Sequence, residues 1–125
     1  MFRAAIVALG LIAGWISPAL CGQELSYDQV RAAIIANRIS LIDVREPDEF
    51  AAGHVPGAIN LPLSAFKVEA LPPSSQRPVV LMCRSGHRAA QALAIAQAAG
   101  RADIDIYPGS MIDWKAAGGP VVAGP

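Results

Sequence analysis

Two short stretches, SLIDV at 40–44 and PVVLM at 78–82, are apolar almost throughout, and each is too brief to make a helix. Runs of this kind, rich in Val, Ile and Leu and bounded by turn residues, read as strands buried on both faces. Helical patterns stand around them. Ser26 and Gln29 offer a capping box, with Val30, Ala33, Ile34 and Asn37 following at helical spacing. Residues 47–52 form a helical turn with Pro47 where its missing N–H costs nothing, and residues 87–99 form a longer helix stopped by Gly100. Further short strands are expected over 58–61 and 104–107, helical turns over 64–70, and a last helix over 111–117 with Trp114 in the core. Residues 119–125 are expected to be a loose tail. Strands alternating with helices at this spacing predict an α/β fold, its mostly parallel central sheet covered by helices on both faces.

The chain has 125 residues, room for one domain, and its 10 Lys and Arg balance 10 Asp and Glu. That balance excludes a general nucleic-acid binder and makes any local cluster of cations more informative. The N-terminal stretch has an early Arg3, an apolar run over 4–16 and then small residues with Pro18, which reads as a secretory signal peptide over 1–22 ahead of a domain over 23–125. The apolar run falls short of the roughly 20 residues of a spanning helix, so no stable membrane insertion is expected. Leu20 fits poorly before a lipid-bearing cysteine, so acylation of Cys21 is the lesser expectation and a periplasmic or secreted protein the main one. With Cys21 removed, Cys83 has no internal partner in an oxidising compartment, which marks it as a working thiol.

Cys83 stands where PVVLM ends and the helix begins, with Arg84, His87 and Arg88 crowded into the next five positions. A structural cysteine gains nothing from such cations. In open parallel sheets ligands bind at the carboxyl ends of the strands, and a helix N-terminus there favours an anion, thiolate included. Asp43 and Arg45 follow the other buried strand and belong to the same edge. No His, Cys or carboxylate spacing supports a zinc site, and no cofactor is expected.

Three stretches, LIDVREPDEFAAGHVPGAINLP at 41–62, CRSGHR at 83–88 and YPGSMIDWKAAGGPV at 107–121, together resemble the single-domain rhodanese family of sulfurtransferases. The resemblance implies the rhodanese-like three-layer fold, Cys83 as persulfide carrier, and the loop of Arg84, Ser85, Gly86, His87 and Arg88 as the cradle for sulfur. It implies Arg45 as a second contact to a small anionic donor such as thiosulfate, with a thiol or cyanide as acceptor and a protein partner as a further candidate. Three departures stand out: Ala89 where many relatives have Ser, Ser110 in place of the second Gly of a common pair, and bulky Met82 before the cysteine.

The residues carry other readings. Arg88 fits a loop-tying role as well as an anion contact, and His87 tunes charge or access more naturally than it serves as an essential acid or base. Asp43 reads as ordering nearby backbone, and His54 as locking the turn at 53–57. Two other functions compete with sulfur transfer. One is a phosphatase or arsenate reductase on the related fold, for which four residues between Cys83 and Arg88 make a narrow cradle. The other is a non-catalytic module that relays sulfur or binds a protein. A monomer is expected.

Overall fold

The two apolar runs lie side by side. In the computed structural model, which describes residues 22–125, β1 (Ser40–Asp43) and β3 (Val79–Met82) pair in parallel with Ser40 opposite Val79 and Asp43 opposite Met82, and every residue of both strands is buried. Two short strands flank them, β2 (Ile59–Asn60) on β1 and β4 (Asp105–Ile106) on β3, giving an all-parallel sheet in the order β2-β1-β3-β4. A parallel sheet needs cover on both faces, and four helices are present among the described residues: α1 (Tyr27–Ile35), α2 (Pro47–Ala52), α3 (His87–Ala98) and α4 (Ser110–Ala116). Two short 3-10 turns, Leu63–Ala65 and Val68–Ala70, stand where helical turns over 64–70 are expected.

The pleat sorts the core. Ile42, Val44, Val79, Leu81 and Cys83 face one side, with Ala89, Ala92 and Ala96 of α3 and with Leu71. Leu41, Val80 and Met82 face the other, with Val30 of α1 and with Met111 and Trp114 of α4. Alanine at 89, 92 and 96 keeps the buried stripe of α3 low, so its backbone approaches the sheet closely. Each large side chain removed from water contributes about 1.5–3 kcal/mol. At α1 the capping box forms as the sequence predicts: Ser26 Oγ accepts from Gln29 N, and Gln29 Oε1 accepts from Ser26 N.

Two backbone pairings lie beyond the sequence pattern. Glu24 bridges Ile106 in parallel, with Leu25 N and Ile106 N donating to the carbonyls of Ile106 and Gln23, so the segment before α1 extends the sheet beyond β4. The expectation of a loose tail over 119–125 is corrected. Val122 pairs antiparallel with His54, Gly124 N donates to Ala51 O, and Trp114 Nε1 donates to Pro120 O at 2.8 Å. The reason is polar: a buried indole N–H needs an acceptor, and the turn after α2 has free backbone groups to pair. No helix among the described residues is long and apolar enough to cross a membrane. The expected signal peptide over 1–22, with Cys21, lies outside the described residues except for Gly22.

Candidate active site

Because Val79 and Leu81 face α3, the pleat turns Cys83 the same way, and its side chain is 1 % exposed beneath the helix N-terminus. The N-cap of α3 is Gly86, which has no side chain to satisfy the first helical amides. The sulfur takes that place. Gly86 N donates to Sγ at 3.1 Å, and the amide of Ala89, third residue of the helix, donates at 3.4 Å. Gly86 reaches this geometry at φ +96°, and a Cβ there would lie 2.5 Å from the Pro108 carbonyl oxygen. Only glycine fits.

A second helix N-terminus holds the loop from the other side. Met111 N and Ile112 N, in the first turn of α4, donate to the carbonyls of Cys83 and Arg84 at 3.0 Å each. Ser110 is fully buried, accepts the amide hydrogen of Cys83 on Oγ at 3.0 Å and donates to Tyr107 O at 3.0 Å. Below it, burial pushes the Tyr107 phenol far above its usual range, so the phenol stays protonated and donates to Asp113 Oδ2 at 2.6 Å. Backbone and sulfur at Cys83 are therefore each fixed by N–H groups of a helix start.

The cations divide into two kinds. Arg84 and His87 are exposed, as is Ser85, and they stand around the mouth of the loop. Arg88 is half-buried and makes a fork with Glu49 of α2, Nη1 to Oε2 at 2.6 Å and Nη2 to Oε1 at 2.9 Å. A cation in the first turn of a helix opposes the helix dipole, and this carboxylate offsets it. Glu49 Oε2 also accepts from Glu46 N at the start of α2, so one carboxylate ties α2 to α3.

Arg45, expected to meet an anionic donor, is corrected to a structural role. It is 5 % exposed and closed on Asp43, with Nε 3.0 Å from Oδ1 and Nη2 2.7 Å from Oδ2. Its remaining contacts go to the carbonyls of Gly53 at 2.8 Å and Glu49 at 3.4 Å. Burial at the end of β1 draws the guanidinium inward, where only a carboxylate and carbonyls can satisfy it. Asp43 Oδ1 also accepts from Arg45 N at 3.0 Å. His54 faces Phe50, ring on ring at 3.7 Å, with Nδ1 donating to the Phe50 carbonyl at 2.8 Å, which locks the turn after α2. No cluster of three metal-ligating side chains occurs among the described residues.

Glu49 and Ser110 are the site residues that sequence reasoning passed over. A carboxylate just after Pro47 lies at the same sheet edge as the loop after β3, and that shared edge is the signal that points to Glu49. The Arg88 guanidinium bonded to Glu49 holds its carboxyl at about 2, below the ordinary 4.5. A depressed pKa in the folded state means that the stabilisation is complete above the unfolded value and is lost as pH falls through the folded one, here from about 4.5 toward 2. Glu49→Gln is therefore expected to cost about 1 kcal/mol near neutrality, the scale of a partly exposed but forked pair, and almost nothing near pH ~2. Urea unfolding of both proteins at the two pH values checks it. The Arg101–Asp103 pair titrates in the same window but is common to both proteins and cancels in the difference.

The Rhodanese-like domain model matches residues 26–117. The thiosulfate:glutathione sulfurtransferase of Saccharomyces cerevisiae is 35% identical over 112 residues, covering 78% of this chain and 81% of its own. A sulfurtransferase of Allochromatium vinosum is 35% identical over 68% of this chain and 79% of its own. Among solved structures, the human single-domain sulfurtransferase superposes with a TM-score of 0.65 at 28% identity, over 76% of this chain and 96% of that one. A rhodanese-related protein of Thermoplasma volcanium gives a TM-score of 0.68 at 26% identity, over 80% and 97%. An all-parallel sheet edge that presents one cysteine to the amides of a helix start, matched by the family model over residues 26–117, places this chain in the rhodanese-domain sulfurtransferase family.

Proposed function

We propose that the protein is a thiosulfate sulfurtransferase that carries sulfane sulfur as a persulfide on Cys83. The observation that carries this reading is the sulfur itself, held under the α3 N-terminus by the amides of Gly86 and Ala89. Those N–H groups stabilise negative charge on sulfur before any substrate arrives. In the first half-reaction the Cys83 thiolate attacks the outer sulfur of thiosulfate. The S–S bond of the donor breaks, sulfite leaves with the electron pair, and Cys83 holds the persulfide. In the second, cyanide or a thiolate attacks the terminal sulfur, taking it away as thiocyanate or a new persulfide and returning the Cys83 thiolate. Exposed Arg84 and His87 at the mouth favour approach of the anionic donor. A low-molecular-weight thiol suits the acceptor role, in keeping with the name of the yeast relative.

The phosphatase reading is weakened by Arg88, whose fork is closed on Glu49 and so is not offered to a tetrahedral oxyanion. The test is intact mass. Thiosulfate is expected to add one sulfur atom to the protein and cyanide to remove it with release of thiocyanate, while Cys83→Ser shows neither change. Efficient hydrolysis of aryl phosphates with no sulfur retained would overturn the proposal.

A further inference from the structure

Ser110 is an anomaly on its own terms. It adopts φ +55°, a left-handed conformation that strains a residue with a Cβ, in a place where glycine would be unstrained. The side chain that brings this strain is fully buried and has two firm contacts, the Cys83 amide and the Tyr107 carbonyl, each at 3.0 Å. It has a third neighbour. Cys83 Sγ lies 4.0 Å from Oγ, on the side of the sulfur served by α4 rather than α3.

A hydroxyl has one hydrogen to give and can turn it. Oγ accepts from the Cys83 amide whatever the state of the sulfur, but its own hydrogen can go either to the Tyr107 carbonyl or to Sγ. With neutral sulfur the carbonyl is the better acceptor. With negative sulfur the charge-assisted bond is the stronger, and it draws the hydroxyl in from its 4.0 Å separation, the outer limit of a hydrogen bond to sulfur. We propose that Ser110 is a positioning residue for Cys83: its hydroxyl holds the cysteine amide in place and turns its hydrogen from the Tyr107 carbonyl to Sγ when the sulfur is charged. Negative charge on Cys83 is then met from two helices, by the amides of Gly86 and Ala89 and by the hydroxyl at the start of α4. The purpose of the device rests on the sulfur-transfer reading, since a carrier cysteine must be a thiolate before each turnover; its geometry does not.

The test uses Ser110→Gly, which relieves the strained backbone and removes only the hydroxymethyl group, with Ser110→Ala as a companion that keeps the Cβ. The readout is the rate of Cys83 alkylation by iodoacetamide across pH, which needs no sulfur transfer. Loss of one donor to a charged group is expected to slow alkylation about tenfold near neutral pH in both variants, whereas at alkaline pH, where the thiol ionises regardless, the rates converge on the wild-type value. A Ser110→Gly profile that overlies the wild type would overturn the proposal. So would a uniform change at every pH, which would report altered access instead. Should the wild type never retain sulfur from thiosulfate while the alkylation profile still shifts as stated, the function assigned above fails and the role of Ser110 stands.

Discussion

Gly86→Ala is expected to reduce sulfur transfer from thiosulfate to cyanide by about a hundredfold or more while leaving a folded protein. Two separate obstacles meet at this residue. The first is conformational: a side chain at φ +96° costs about 1–2 kcal/mol. The second is steric and decides the outcome, because the new methyl carbon would sit 2.5 Å from the Pro108 carbonyl oxygen, a backbone atom that cannot swing aside. Pro108 is itself pinned by its neighbours in the chain, since Ser110 is bonded to both Tyr107 O and Cys83 N, and Met111 and Ile112 are bonded to the loop carbonyls. The loop at 83–88 must therefore move as a whole. Gly86 N is the shorter of the two amide contacts to sulfur, so a displacement approaching 1 Å removes it and misaims the other. Steady-state kinetics with thiosulfate and cyanide read the loss, and circular dichroism shows that the fold survives. Turnover near that of the wild type would mean that these amides are not what holds the sulfur charge.

Legibility in the sequence has a physical basis. SLIDV and PVVLM announce β1 and β3 because a strand covered on both faces is apolar except where a buried polar group finds a partner, as Asp43 does in Arg45. Ser26 and Gln29 announce the start of α1 because both halves of a capping box lie within one turn. Cys83 and its cations announce a site because their crowding is local. The partners of those cations are not local. Arg88 and Glu49 are 39 residues apart, and although both follow buried strands at one sheet edge, neither segment says which side chains face each other there. The tail is illegible for another reason: the pairing of Val122 with His54 and of Gly124 with Ala51 is carried by backbone groups, which every residue has and which leave no mark in composition. Ser110 shows in the sequence only as a departure from a glycine pair, and its hydroxyl contacts depend on a fold that brings residues 83 and 110 together.

Arg45→Ala is expected to destabilise the protein by about 3–5 kcal/mol, a large share of the roughly 5–15 kcal/mol that holds a domain folded. The guanidinium and the Asp43 carboxylate are both shut away from water, with side-chain exposures of 6% and 0%. Removing the cation leaves a carboxylate at the end of β1 with a single backbone donor, Arg45 N, and leaves the Gly53 carbonyl without the Arg45 contact. Neither loss can be made good by water that does not reach them. Arg45→Lys recovers only part of the loss, because an ammonium is a point charge and cannot span Asp43 and Gly53 at once as the planar fork does. The kinetic consequence separates this role from that of a substrate contact. If Arg45 held the donor, the alanine variant would show a raised KM for thiosulfate with stability hardly altered. Because its donors are turned inward, the expected pattern is the reverse: a chemical-denaturation midpoint shifted far down, and a KM for thiosulfate close to that of the wild type when measured cold, on the fraction that remains folded.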